Sequence, residues 1–187
     1  MSDFLKEIDQ LRRMSEAELT RVGEDSLLDH LRHQASEARA RHGGLGPTNL
    51  ETFLNDRDCV RYPTRLVLEF GDMGPHQFAQ PDRDYRSNLS DAKALYVRPI
   101  LGRRPDLVAL AVSYMIPVIN YGQVVNDEHC LEYGAMLMGI GVEDYYQRIC
   151  ELAEFVGAEI CNADEEAPNQ QPAAAGCGGG GCSCSGG

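Results

Sequence analysis

Three cysteines lie close together near the end of the chain, in the segment AAAGCGGGGCSCSGG at 173–187. They are Cys177, Cys182 and Cys184, with the spacing C-x4-C-x-C. Thiolates are soft ligands that suit zinc, copper(I) and iron–sulfur clusters, and glycine lets a backbone wrap closely around an ion. A structural zinc site takes four ligands, so we expect the fourth from Cys161, from a partner's cysteine or from an exchangeable group. An incomplete site of this kind favours binding and transfer of a soft metal or cluster.

The last residues of this segment, CSCSGG, resemble the C-x-C-G ends of A-type iron–sulfur carrier proteins. The resemblance covers these residues alone and implies a role in carrying a cluster. Those carriers are small β-rich proteins with a third cysteine far upstream, and the rest of this sequence does not follow that plan.

The same segment is also compatible with functions of other classes. Its Gly-Cys and Ser-Cys dipeptides are similar to azole-forming peptide precursors, in which cysteines are cyclised onto the preceding carbonyl. That resemblance implies a ribosomally made, cysteine-modified peptide with residues 1–175 as its leader. A redox pair is a further alternative, although no nearby cation lowers a thiol pKa. An inert solubilising tail is the plainest reading, but a cluster of exposed thiols is a liability in such a tail.

The body of the chain offers a second candidate metal site in the stretch NDEHCLEYG at 126–134. On a helix, Glu132 lies within reach of both Glu128 and His129, because residues three and four apart are neighbours on its surface. Carboxylates and imidazole at this spacing can hold a transition metal. The alternative is a solvated helix start, where acidic residues favour the positive end of the helix dipole.

The loop EFGDMGPHQF at 69–78 carries further polar groups on a turn fixed by glycine and proline. If it folds over His129, then His76, His129 and one carboxylate form a two-His, one-carboxylate set, which predicts a metal-dependent enzyme as an alternative function. Otherwise Asp72 and His76 bond to the turn's own backbone. The sequence has no GxSxG, Walker, HExxH or dinucleotide-binding motif, and Cys59, Cys130 and Cys150 are interpreted as small core residues.

The residues 1–44 are predicted to form two helices. Ser15 and Glu18 make a capping box that starts the second helix, and Gly43 ends it. This segment is polar over most of its surface. It either packs on its own domain or pairs through a narrow apolar seam with a partner or with another copy, which would make a homo-oligomer.

Residues 45–161 are predicted to form an α+β core domain that is mostly helical. A capping box, TNLE at 48–51, starts a short helix. The β-rich runs at 64–70 and 93–99 are expected to form a small antiparallel pair joined by a surface loop.

Three helices follow the predicted strands, at 106–120, 125–138 and 142–157, and the first of them is apolar nearly all round. On the last helix, Tyr146 and Ala153 are expected to share the apolar face with Tyr145. Residues 162–187 are first acidic and then rich in glycine and cysteine, a composition that predicts a disordered tail.

The charge of the chain is −12, and residues 122–187 hold 11 acidic residues and a single basic one. This charge repels nucleic acid and favours a protein partner with a basic surface. We expect a cytoplasmic protein that does not enter a membrane, because no signal peptide opens the chain and the apolar run at 107–119 is shorter than a bilayer span. The sequence therefore favours an accessory protein of a metalloenzyme or metal-trafficking pathway over an enzyme.

Overall fold

The computed structural model describes residues 11–82 and 92–165, and the α+β class predicted from the sequence is confirmed. The first predicted helix and the tail from residue 166 lie outside these ranges. The helices are α1 (Glu16–His42), α2 (Leu50–Asn55), α3 (Pro105–Tyr121), α4 (Asp127–Met138) and α5 (Val142–Glu165), and two short 3-10 helices span Pro99–Arg103 and Gly122–Val124. The strands are β1 (Thr64–Val67), β2 (Ala79–Pro81) and β3 (Lys93–Val97).

Helix α1 begins and ends where the sequence predicts. The Ser15 hydroxyl accepts the Glu18 N–H and the Glu18 carboxylate accepts the Ser15 N–H, which completes the capping box. Gly43 ends the helix in the left-handed region at φ 73°, where glycine is favoured. The helix is exposed through its first half and packs on α4 through buried residues of its second half, Leu31, Ala35 and Ala38.

Helix α2 forms at the predicted place, but the predicted capping box TNLE is wrong. The N-cap is Asn49, and its side chain makes no capping hydrogen bond to the helix. Its carboxamide instead accepts the Gly46 N–H at 2.8 Å and donates to the carbonyl oxygens of Gly44 at 2.8 Å and His42 at 3.1 Å. Asn49 therefore closes the loop that joins α1 to α2 and fixes the last turn of α1.

The sheet differs from the predicted antiparallel pair. Strand β1 pairs with β3 in parallel, with Thr64 opposite Lys93 and Val67 opposite Tyr96. The antiparallel partner of β3 is β2, a short strand within the segment expected to be a loop. The order is β1-β3-β2, so β3 is the central strand, and its burial at nearly every position fits that place.

Helix α3 forms the centre of the core and contains Pro117 in its interior. With the 3-10 helix after it, the stretch Pro105–Val124 is long and apolar enough to cross a membrane by length and composition, which the shorter run at 107–119 is not. However, 67% of its most apolar window is buried inside the fold. A core helix meets the same criteria.

Helices α4 and α5 cover α3 and are packed closely against each other. A Cβ atom on Gly134 of α4 would lie 2.2 Å from the ring of Tyr145 of α5, so only glycine fits there. Helix α5 runs to Glu165, past the predicted end at residue 157. The predicted apolar face is wrong at Tyr146 and Ala153, which are exposed.

Candidate metal centre

The predicted body ligand His129 has a role in the backbone of α4. Its Nδ1 accepts the Asn126 N–H at 3.1 Å, and the Asn126 side chain accepts the His129 N–H at 3.0 Å. This reciprocal pair is a capping box, and the imidazole is 5% exposed. His129 thus uses one ring nitrogen to begin the helix.

The other predicted body ligands are spread over the surface. The Glu132 carboxylate accepts a hydrogen bond from Arg32 Nε at 3.1 Å, which ties α4 to α1. Glu128 is exposed on α4, and His76 is exposed in a turn before β2. Within residues 11–82 and 92–165, these side chains do not form a group of three with metal-ligand atoms in mutual reach.

The loop that carries His76 is held in place by a buried arginine that no sequence motif indicates. Arg98 is 5% exposed and donates to the carbonyl oxygens of Gln77 and Pro75, each at 2.8 Å, and of Gly74. Its guanidinium carbon also lies 5.3 Å from the centre of the Phe70 ring. Burial lowers the pKa of Arg98. Arg98 therefore holds the loop against the end of β3.

The predicted tail ligands Cys177, Cys182 and Cys184 lie outside the described residues. Cys161 falls within α5, but its side chain is not among those that the structure describes. The tail site therefore stays a prediction.

A different group of ligand atoms meets at the end of α1. The imidazole of His42, the carboxylate of Asp56 and the thiol of Cys59 place one ligand atom each within 4.8 Å of one another. We call these residues the HDC cluster. Among the described residues, this is the group in which three metal-ligating side chains meet in this way. Nitrogen, oxygen and sulfur donors together are a ligand set that zinc accepts.

The local chain explains why the three side chains meet. His42 is the last residue of α1, held by Asn49, and its ring packs on Phe53 of α2 with 5.1 Å between ring centres. Asp56 follows the end of α2, and its carbonyl accepts the N–H groups of Cys59 at 3.0 Å and Val60 at 2.8 Å. This turn brings the thiol back over the carboxylate.

Asp56 contacts both other members of the HDC cluster. Its carboxylate lies 2.8 Å from His42 Nε2, accepts the Asp58 N–H at 3.0 Å and the Cys59 thiol at 3.5 Å, and pairs with Arg41 at 3.2 Å. Burial acts to raise the pKa of Asp56, but the hydrogen bonds from Asp58, His42, Arg41 and Cys59 outweigh it and hold that pKa well below its usual range. The carboxylate is therefore ionised at any physiological pH.

Cys59 supplies a thiol that is protonated without a metal. Burial raises its pKa to about 12, and the negative charge of Asp56 adds to that shift. A bound cation reverses this preference, since a coordinating thiol loses its proton outright. The side chains of His42 and Asp56 are 11% and 19% exposed, so the cluster lies just below the surface.

The sequence contained a weak signal for this cluster. His42 stands at a predicted helix end, and the stretch DRDC from Asp56 to Cys59 places a carboxylate and a thiol three residues apart. Comparisons with protein-family models, with curated proteins and with solved structures give no match for the chain.

Proposed function

We propose that this chain is a metal-handling accessory protein that binds a zinc-like divalent ion at the HDC cluster. The observation that carries the proposal is the convergence of His42, Asp56 and Cys59 within 4.8 Å. Such a site has three protein ligands and leaves a position open for a fourth ligand, as exchangeable and catalytic zinc sites do.

The hydrogen bonds of the cluster fit a metal-for-proton exchange. Asp56 Oδ2 is the shared partner of His42 Nε2 and of the Cys59 thiol. A cation bound there takes over both contacts and displaces the thiol proton, so metal affinity rises with pH. The Arg41 guanidinium beside the same carboxylate repels the cation and keeps the binding reversible.

The tail supplies the second half of the proposal. The fourth ligand of the ion comes from the thiols of Cys177, Cys182 and Cys184, which hand the metal on and can also take copper(I) or an iron–sulfur cluster. The receiving protein presents a basic surface to this acidic chain, and the exchange takes place in the cytoplasm, where thiols stay reduced.

Competition titration with zinc tests the body site and the tail separately. We expect the full chain and a variant with serine at Cys177, Cys182 and Cys184 both to bind zinc. In that tail-serine background, Cys59→Ser should weaken zinc binding by roughly 100-fold or more, because it removes one of three ligands.

Cys150→Ser is the matched control, since Cys150 is a partly buried thiol outside the cluster. It should leave the affinity of the tail-serine chain unchanged. If the Cys59→Ser and Cys150→Ser variants bound zinc equally well, the HDC cluster would be excluded as the zinc site. If the chain with serine at Cys177, Cys182 and Cys184 no longer bound zinc, the metal would belong to the tail cysteines alone.

A further inference from the structure

A polar cavity of about 420 Å³ opens beside the HDC cluster, between α1, the end of α3 and the segment before β1. Its volume falls within the range of small-molecule sites. Cys59 and Asp58 form part of its wall, so the cavity and the cluster share residues. The other lining residues are His30, Gln34, Arg57, Arg61, Asn120 and Tyr121.

The cavity carries uncompensated positive charge. Arg57 and Arg61 are exposed at its edge, and in the described part of the chain neither guanidinium lies within ion-pair distance of a carboxylate. The one acidic residue of the wall, Asp58, already accepts Arg41. The Arg61 guanidinium carbon lies 5.7 Å from the centre of the Tyr62 ring. Two guanidinium groups without a carboxylate partner therefore lie on one cavity, and such a pair favours an anionic ligand.

Hydrogen bonds hold part of the cavity wall in place. The Asn120 side chain accepts the Arg61 N–H at 2.8 Å and donates to the Cys59 carbonyl at 3.0 Å, which fixes the arginine segment against α3. The Tyr121 hydroxyl donates to Gln34 at 2.6 Å and lies 2.8 Å from Nε2 of His30. Both hydrogen-bond networks form without a ligand, so these wall residues are already in position for binding.

We propose that this cavity binds the oxyanion group, carboxylate or phosphate, of a small molecule, with Arg57 and Arg61 as its charged ligands. The guanidinium group suits both anions because its planar array of N–H donors matches two oxygens at once. The inference does not depend on metal binding at the HDC cluster.

Calorimetric titration of the metal-free full chain at constant ionic strength tests the proposal. The probes are inorganic phosphate, pyrophosphate and succinate, so the arms separate a phosphate ligand from a carboxylate ligand. At least one probe should bind with a dissociation constant below about 1 mM. Arg57→Gln and Arg61→Gln should each weaken that binding by roughly tenfold or more, since each removes a charged hydrogen-bond donor.

Arg148→Gln is the matched control, because Arg148 is exposed on α5 and does not line the cavity. It should leave the binding constant within about twofold. Failure of every probe to bind would overturn the proposal. Equal losses in the Arg148→Gln and Arg61→Gln variants would overturn it as well, because they would show only general attraction of anions to arginine. Amide NMR spectra of the variants verify that the fold is retained.

Discussion

Asp56 is the residue on which the candidate metal centre depends. It joins the end of α1, through His42 and Arg41, to the turn that carries Asp58 and Cys59. One carboxylate therefore serves both the local structure and the proposed ligand set. The consequence for stability and the consequence for metal binding can be measured separately.

Replacing this carboxylate by Asp56→Asn should lower the free energy of unfolding by roughly 1 to 2 kcal/mol at pH 7, because charged hydrogen bonds are lost. The depressed pKa of Asp56 means that its contribution is complete above the unfolded pKa near 4 and is lost as the pH falls below it. Urea unfolding should therefore show a gap between the two proteins at pH 7 that narrows by about pH 3.

Asp106→Asn is the control for this pH dependence. Asp106 also pairs with an arginine, Arg104 at 2.8 Å, but the pair is exposed and should contribute less. A gap for Asp56→Asn that stays constant down to low pH would show that its ionised form is not what stabilises the fold.

The HDC cluster shows what residue patterns in the sequence do not reveal. The sequence predicts that Cys59 is a small core residue, and it is indeed only 6% exposed. Its chemistry follows from a contact with Asp56 and from the neighbouring end of α1, which depends on how Asn49 closes a loop. Spacing along the chain gives no measure of such a closure. His129 shows the opposite case, in which the spacing predicts a metal ligand but one ring nitrogen instead accepts a capping hydrogen bond in its own helix.

At the scale of elements, both ends of α1 were predictable, whereas the cap of α2, the end of α5 and the direction of the strands were not. Ser15 and Gly43 act within one turn of the chain, so their types determine the ends of α1. The direction of β1 relative to β3 depends on β2, which pairs on the far side of β3. The alternation of side chains in a strand is the same for parallel and antiparallel neighbours, so the pattern could not distinguish them.

The packing of α4 on α5 gives a prediction at this scale. Gly134→Ala should lower the free energy of unfolding by about 1 to 3 kcal/mol, because its methyl group would overlap the Tyr145 ring. Tyr145 is fully buried and has its hydroxyl 2.8 Å from Ser113 on α3, so the ring cannot move away freely. Urea unfolding of the variant measures the loss.

Gly23→Ala is the matched control on α1, where an added methyl group meets no atom within 4 Å. It should stabilise the helix by up to about 1 kcal/mol, through the higher helix propensity of alanine. If Gly134→Ala were as harmless as Gly23→Ala, the described contact between α4 and α5 would be wrong.

For the whole molecule, the sequence was sufficient for the α+β class and for the three helices after Pro105. It was not sufficient for the arrangement. The HDC cluster forms where the end of α1 meets the turn after α2, and the cavity forms where that turn meets the middle of α1 and the end of α3. Arg57 and Arg61 line this region, whereas acidic residues dominate the last third of the chain. The proposed cation and anion sites lie side by side on the body, because Cys59 belongs to both.

Cobalt(II) absorption spectroscopy tests the central claim most directly, because a thiolate bound to cobalt gives a charge-transfer band that other ligands do not. In the chain with serine at Cys177, Cys182 and Cys184, we expect this band to appear with one equivalent of cobalt and to be displaced by zinc. The band should vanish in Cys59→Ser and persist in Cys150→Ser. A tail-serine chain without the band, or a band unchanged by Cys59→Ser, would contradict a metal centre at His42, Asp56 and Cys59.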